Sequence, residues 1–212
     1  MRSGKPRVAV VGAGIGGATL AILLQQAGYE CRVYEQASAL ARVGAGINLA
    51  PNSTRIFRAI GLEETMKRIG VQPKLKFSRE WDTGKVLFTI PIPELTKRYD
   101  GPFFAFHRGD LAEALISGTK PGSVEFGKRL VGLETRGETT RLAFADGTTA
   151  DADIVVGADG VHSRVREILF GARAPDYHGL VAYRSIFPIS RVPDLDLADN
   201  TKWWAPDRYV LI

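Results

Sequence analysis

The glycines of one short segment have the clearest chemical meaning in this sequence. They lie in Gly12-Ala13-Gly14-Ile15-Gly16-Gly17, which has the spacing Gly-x-Gly-x-x-Gly. In this spacing the first glycine allows a tight turn, the second lets the backbone approach a pyrophosphate, and the third lets a helix pack closely on a strand. The backbone N–H groups at a helix start then bind the phosphates. The expected dinucleotide-binding residues here are Gly12, Gly14, Ile15, Gly16 and Gly17.

The elements around these glycines have the order that such a site requires. A β-branched run at 7–11 predicts a buried strand, 18–27 predicts a helix that ends at Gly28, and 31–34 predicts a second strand. Glu35, followed by Gln36, closes that strand, where an acid would hydrogen-bond a ribose hydroxyl. An acid also disfavours a 2′-phosphate, so the adenosine bound here is not that of NADP. The fingerprint alone does not choose between FAD and NAD.

Further segments carry a family resemblance. Gly157-Ala158-Asp159-Gly160 follows a predicted strand at 153–156 and precedes a predicted helix at 163–170. Arg108 stands in His107-Arg108-Gly109-Asp110-Leu111, and Arg42 begins Arg42-Val43-Gly44-Ala45-Gly46-Ile47. In this order the segments resemble the class A flavoprotein monooxygenases, and the resemblance covers essentially the whole chain.

The resemblance implies a cofactor and a reaction. NADH or NADPH would reduce FAD, O2 would form a flavin C4a-hydroperoxide, and this species would hydroxylate a small aromatic substrate. Gly14 to Gly17 and Glu35 would hold the ADP moiety. Arg42, Arg108 and Asp159 would contact the cofactor, and the backbone of Leu130 would contact the adenosine.

Structural alternatives stand beside these roles. Arg42 could instead be a surface residue, and Arg108 could form a salt bridge at a helix start. Asp159 could be only an N-cap. His162 is interpreted as a structural partner in its turn. Trp203 and Trp204 either wall an aromatic substrate or belong to the core.

Within the family, the chain is most similar to the salicylate hydroxylase-like branch. Gly127-Lys128-Arg129-Leu130 and Lys202-Trp203-Trp204 resemble the members that act on 6-hydroxynicotinate. Those members have His at the position of Asn48, and another His and a Cys at Tyr209 and Asn200, so that substrate is not expected. Asn48 and Tyr209 can still hydrogen-bond a phenol or a carboxylate, and they are the candidate catalytic residues.

The expected fold class is α/β, with a Rossmann-like FAD-binding domain interleaved with an antiparallel substrate sheet. Segments 1–73 and 107–175 are assigned to FAD binding, and 74–106 and 176–212 to the substrate sheet. Asp146-Gly147 predicts a hairpin, and Asn52 or Ser53 is the expected N-cap of a helix at 52–60. The apolar run 209–212 ends without a turn, and the family's third FAD motif, a Gly-Asp pair, is missing. We therefore expect a C-terminally incomplete domain.

Composition limits the function class. The net charge is +5, but no run of Lys and Arg exceeds two residues, which argues against nucleic acid as a partner. A single cysteine excludes a disulfide framework, and because no metal-ligand spacing is present, no metal is predicted. No apolar run is long enough to suggest a membrane span. A cytoplasmic protein is expected, and a homodimer is possible. Rival functions are an FAD-dependent epoxidase or dehydrogenase, and a truncated nucleotide-binding remnant without activity.

Overall fold

The computed structural model describes residues 4–40, 46–193 and 199–212. The strands are β1 (Val8–Val11), β2 (Cys31–Tyr34), β3 (Gly46–Leu49), β4 (Gly70–Val71), β5 (Leu75–Glu80), β6 (Val86–Pro91), β7 (Phe104–His107), β8 (Val124–Glu125), β9 (Leu130–Arg136), β10 (Thr139–Phe144), β11 (Thr149–Ala152), β12 (Ile154–Gly157), β13 (Asn200–Trp204) and β14 (Tyr209–Leu211). The helices are α1 (Ile15–Gln26), α2 (Pro51–Ala59), α3 (Glu63–Ile69), α4 (Ile92–Tyr99), α5 (Arg108–Ser117) and α6 (Arg164–Phe170), with a 3-10 turn at Ile189–Arg191.

The chain divides into two compact units, each built from two separate segments. Unit 1 consists of Met1–Val43 and Gly109–Ala182, and unit 2 consists of Gly44–Arg108 and Tyr183–Ile212. This alternation, together with the sheets described below, confirms the expected interleaved α/β fold class. Residues 44–73, which the sequence analysis assigned to FAD binding, lie in unit 2. The functional division into 1–73, 74–106, 107–175 and 176–212 stays a prediction.

A parallel sheet with the order β12-β1-β2-β8 forms the centre of unit 1. β1 is buried along its whole length, as expected for a strand that has neighbours on both edges and cover on both faces. Ala9 and Val11 face one core cluster, which includes Leu142. Val8 and Val10 face the other, with which Leu20 and Leu24 of α1 pack. The βαβ unit therefore forms as the sequence predicts.

A second sheet of unit 1 has the order β11-β10-β9 and packs its apolar side chains against the first. The predicted hairpin at Asp146-Gly147 is confirmed, because β10 pairs with β11 in antiparallel register and Gly147 has a φ of 82°. The rings of Tyr34 and Phe144 lie 4.8 Å apart between centroids and join the two sheets. This contact places the start of β9 close to the end of β2.

Unit 2 contains two sheets, with the orders β14-β13-β5-β6 and β3-β7-β4. In the first sheet β13 and β14 are antiparallel, β5 and β6 are antiparallel, and the central β13–β5 pair is parallel. The sheet is thus mixed, because β13, which is distant from β5 in the sequence, pairs with it in parallel. The terminal apolar run, which had no partner in the sequence analysis, pairs with β13.

The local structure of unit 2 differs from the sequence analysis at several points. Helix α2 starts at Pro51, and its N-cap is Ala50, without a side-chain cap, so the expected cap at Asn52 or Ser53 is wrong. Proline has a φ suited to the first helical turn and needs no hydrogen-bonded N–H there. The same property explains α4, which has proline near its start in a segment expected to be sheet.

None of the helices in the described ranges has the length and hydrophobicity that crossing a lipid bilayer requires. Among the same residues, no group of His, Cys, Asp and Glu side chains has an arrangement that could hold a metal ion.

Candidate functional site

The glycine turn between β1 and α1 requires glycine at two of its positions. Gly12 has a φ of 103°, and a Cβ there would lie 2.5 Å from the carbonyl oxygen of Ala158. At Gly17 a Cβ would lie 2.0 Å from the carbonyl oxygen of Gly12. Both glycines therefore allow backbone segments to approach more closely than any side chain permits. These two glycines determine the shape of the turn, and they do not themselves have to contact a ligand.

Gly14 and Gly16 have the opposite property, because both are exposed and a Cβ on either would meet no atom within 4 Å. Gly14 is the N-cap of α1, without a side-chain cap, and the first turn of the helix contains no acid. The first N–H groups of a helix have no partner within the helix, and together with its dipole they attract anions. The start of α1 thus offers free donors and open space to a phosphate group.

Glu35 is fixed in place at the end of β2. Its Oε2 accepts a hydrogen bond from the N–H of Ala13 at 2.8 Å, and its Oε1 accepts one from the N–H of Ala37 at 2.9 Å. Its own carbonyl oxygen accepts from the N–H of Lys128 at 2.8 Å. Each carboxylate oxygen has a second lone pair, so Glu35 can also accept hydrogen bonds from ribose hydroxyls.

The carboxylate of Asp159 serves the start of α6. It accepts hydrogen bonds from Ser163 Oγ at 2.6 Å, from the N–H of Arg164 at 2.7 Å and from the N–H of Val165 at 3.1 Å. The N-cap residue itself is Ser163, whose Oγ accepts from the N–H of Arg166. Asp159 is therefore not the N-cap residue itself, although its carboxylate accepts hydrogen bonds from the first N–H groups of α6, and its contact with FAD stays a prediction.

An open cleft of about 590 Å³ connects these elements within unit 1. Its size lies within the usual range of small-molecule sites. The predicted site residues that line it are Gly12, Gly14, Glu35, Gln36, Leu130 and Asp159. Ile15, Gly16 and Gly17 follow Gly14 in the first turn of α1.

Basic side chains that the sequence analysis did not assign to the site also line this cleft: Lys128, Arg129, His162 and Arg164. The ammonium of Lys128 lies 2.8 Å from Asp146, and it holds the pKa of that carboxyl well below its ordinary value, together with hydrogen bonds from Thr148. Arg164 pairs with Glu167 at 2.8 Å. Their position beside Leu130 and Asp159 in the sequence was the signal that could have identified them.

Arg129 differs from Lys128 and Arg164, which are both paired. It is exposed, and it forms no ion pair with any residue that the structure describes. Its carbonyl oxygen accepts a hydrogen bond from the N–H of Ala145 at 2.9 Å, which holds the backbone beside the cleft. Arg129 is thus the cation of this group whose charge is available to an anionic ligand.

The remaining predicted residues belong to unit 2 or lie outside the described residues. Arg108 is the exposed first residue of α5, and the salt bridge that was considered for it has no counterpart among the described residues. Asn48 lies on β3 and Tyr209 on β14, in different sheets, and both are exposed. Arg42 lies outside the described residues.

The residues of the cleft fit the ADP part of a dinucleotide. Free N–H groups at α1 and the unpaired Arg129 suit phosphate and other anionic groups, and the fixed carboxylate of Glu35 suits ribose. The side chains of Val11, Tyr34, Leu130 and Val131 provide apolar surface for an adenine ring. The absence of side-chain atoms around Gly14 leaves the space that a pyrophosphate needs.

Comparison with known proteins shows the family of the chain. Residues 5–180 match the family model described as an FAD binding domain. The chain is 44% identical to a 6-hydroxynicotinate 3-monooxygenase of Pseudomonas fluorescens, over 99% of this chain and 55% of that protein. It is 40% identical to a 3-amino-4-hydroxybenzoate 2-monooxygenase of Streptomyces cremeus, over 96% of this chain and 52% of that protein.

A solved structure is also similar to this chain. HpxO of Klebsiella pneumoniae, crystallised with FAD and uric acid, superposes with a TM-score of 0.81 and is 25% identical, over 97% of this chain and 52% of that chain. The chain thus spans about half the length of the relatives that it matches. The glycine turn, the fixed acid and the matched family model lead to one conclusion: the chain belongs to the FAD binding domain family.

Proposed function

We propose that the protein hydroxylates a small aromatic or heteroaromatic ring, with FAD as its cofactor and with NADH or NADPH and O2 as co-substrates. The observation that carries the proposal is the uncapped start of α1, where exposed Gly14 adjoins the fixed carboxylate of Glu35. The names of its relatives, which are monooxygenases of hydroxylated rings, support the reaction class. The NADH or NADPH requirement rests on the family resemblance.

The proposal assigns residues to the pyrophosphate, to the adenosine and to the rest of the FAD molecule. The N–H groups from Gly14 to Gly17 bind the pyrophosphate, and Glu35 binds the adenosine ribose. The backbone at Leu130 and the side chain of Arg129 contact the adenosine half. Arg42, Arg108, Gln36 and Asp159 are further cofactor contacts that the family resemblance predicts.

When bound, FAD would accept a hydride from the pyridine nucleotide and activate O2 for transfer to the ring. The chain's own residues would bind and orient the substrate. Asn48 and Tyr209 would hydrogen-bond its polar substituents, since an amide and a phenol both donate and accept. Orientation matters because a ring held in the reactive geometry reacts far faster than one that collides freely.

Flavin titration and turnover test this proposal. The longest polypeptide that the gene encodes would be purified, loaded with FAD and supplied with NADH, NADPH and a panel of hydroxylated benzoates and pyridine carboxylates. We expect one or more of these rings to stimulate NADH or NADPH oxidation and to yield a hydroxylated product in stoichiometric amount. A protein that binds no FAD, or that oxidises NADH without forming a hydroxylated product from any ring, would contradict it.

An aliphatic or alkene substrate that is oxidised where phenols are not would favour the epoxidase or dehydrogenase alternative. Homodimer formation, which the resemblance allows, would be measured on the same sample by light scattering.

A further inference from the structure

Lys202 of β13 lies in a wedge between two aromatic rings. Its Nζ is 3.4 Å from the centroid of the Trp204 ring and 3.6 Å from the centroid of the Tyr209 ring. The centroids of the two rings are 5.6 Å apart, and the ring planes meet at 50°. An ammonium over an aromatic face is attracted by the electrons of the ring, so two such contacts hold this flexible side chain in one position.

Within the described part of the chain, no acidic side chain neutralises the charge of Lys202. No carboxylate of the described residues forms an ion pair with it, and its ammonium donates no hydrogen bond to any described oxygen. Glu80, the acid that the strand register places beside Trp204, accepts a hydrogen bond from Thr83 instead. An ammonium has three N–H donors, and the rings occupy its sides without accepting conventional hydrogen bonds. Lys202 is therefore a positioned cation with free donors.

The same face of the sheet contains a second unsatisfied group. Asn200 precedes Lys202 by two positions, so that both side chains leave the strand on the same side. The Oδ1 atom of Asn200 is buried and accepts no hydrogen bond from the described residues. A buried acceptor without a donor is costly, and a ligand hydroxyl or N–H group would satisfy it. Tyr209 pairs with Trp204 across the strands and lies on this face too.

We propose that Lys202 recognises the carboxylate of an aromatic substrate, with Trp204 and Tyr209 as the clamp that positions its ammonium. This assignment rests on the proposed function, and it names a residue that selects among aromatic rings. A cation held at the edge of two exposed aromatic faces suits a flat ring that carries a negative charge. Asn200 then accepts a hydrogen bond from a hydroxyl or ring N–H at another position of the same ring.

A carboxylate is favoured over a phosphate by the donor set. One ammonium provides a single point charge, whereas phosphate sites gather several cations or backbone N–H groups. At the position of Lys202 the neighbouring strand β5 adds no charge, because the register places the uncharged Ser78 beside it, whereas Lys76 lies beside Asn200. A single carboxylate therefore matches both the charge and the number of donors.

The test compares an anionic ligand with its neutral analogue in the FAD-loaded full-length protein. Binding of 4-hydroxybenzoate and of 4-hydroxybenzamide would be measured by flavin absorbance and tryptophan fluorescence in the wild type, Lys202→Met and Lys202→Arg. Methionine keeps the length of the side chain without its charge, and arginine keeps the charge. Lys85→Met, which removes an exposed lysine from the connection between β5 and β6 of the same sheet, is the matched control.

We expect Lys202→Met to weaken 4-hydroxybenzoate binding about tenfold, the scale of a charge-assisted hydrogen bond, with little change for the amide. Lys202→Arg should recover most of the carboxylate affinity, and Lys85→Met should change neither ligand. Equal weakening of both ligands, or of neither, would make Lys202 a structural residue and overturn the proposal. A wild type without preference for the carboxylate would overturn it as well. Selective binding without hydroxylation of any ring would instead refute the proposed function alone.

Discussion

The N–H of Ala13 donates a hydrogen bond of 2.8 Å to Oε2 of Glu35, and this bond ties the glycine turn to the end of β2. The other oxygen of the carboxylate accepts from the N–H of Ala37. In Glu35→Gln an amide NH2 group must face one of these N–H donors. We expect the FAD affinity to fall about tenfold and the free energy of unfolding to fall by about 1–2 kcal/mol.

Flavin fluorescence titration and urea unfolding would measure these two changes. Glu138→Gln provides the control, because Glu138 is an exposed acid of unit 1 in the turn between β9 and β10. An unchanged FAD affinity in Glu35→Gln would mean that the carboxylate serves only the fold.

Gly14→Val separates cofactor binding from folding. The backbone of Gly14 has a φ of −64° and a ψ of 177°, which other residues adopt, and a Cβ there meets no protein atom within 4 Å. The variant should therefore fold with nearly the stability of the wild type. It should lose FAD, because a branched side chain occupies the space for the pyrophosphate. Circular dichroism and flavin titration would measure the two properties.

Other glycines provide matched comparisons for Gly14→Val. Gly4→Val also places its side chain in open space but away from the cleft, so it should retain FAD. Gly17→Ala should destabilise the fold, because its Cβ would lie 2.0 Å from the carbonyl oxygen of Gly12. If Gly14→Val folds and keeps its flavin, the phosphates do not bind at the start of α1.

Arg129→Ala tests whether the unpaired cation of the cleft contributes to FAD binding. We expect the FAD dissociation constant to rise about tenfold, as the loss of one charge-assisted contact implies. The effect should shrink at high salt, since an exposed charge is screened there. Arg136→Ala, at the far end of the strand β9 that follows Arg129, should leave the constant unchanged, because Arg136 pairs with Glu134 and does not line the cleft. A loss of affinity of the same size in both variants would contradict this role.

We expect the buried thiol of Cys31 to lower the free energy of unfolding in alkaline solution. Desolvation raises the pKa of Cys31 from its ordinary 9.0 to about 11. Because the folded state holds the proton more tightly, this contribution is complete below pH 9 and is lost as the pH rises from 9 to 11. At pH 10 the loss should be about 1 kcal/mol.

Urea unfolding of the wild type and of Cys31→Ala at pH 7 to 10 would measure this loss. The difference between the two proteins gives the contribution of this thiol alone, because the other ionisable groups are the same in both. Identical pH profiles would show that the thiol ionises equally in both states.

The nucleotide-binding part of the fold was largely predictable because its signals are local. The strand at Cys31–Tyr34 has the predicted bounds, and Gly28, which follows the end of α1, has a φ of 79°. A glycine spacing, a β-branched run and a helix-ending glycine each act on residues next to them in the chain. The cleft that combines Gly14 with Glu35 and Leu130 follows from those elements.

Other features depend on residues that are distant in the sequence. β3 and β4 are short strands that are stabilised by pairing with β7, and their local sequence patterns do not predict them. Lys128 reaches the cleft because its backbone is bound to Glu35 at the end of β2, and Arg164 because α6 packs on β9 and β12. The position of Lys202 between two rings likewise depends on the pairing of β13 with β14.

The two-segment construction of unit 1 has a consequence for biosynthesis. β1 is translated well before β12, one of its two neighbours, in which Ile154 pairs with Val8. All of Gly44–Arg108 must be translated between them. Closing so long a loop is slow, and until it closes one edge of β1 stays open to unwanted pairing. Nascent chains that have reached β11 but not β12 should therefore be the ones that depend most on chaperones.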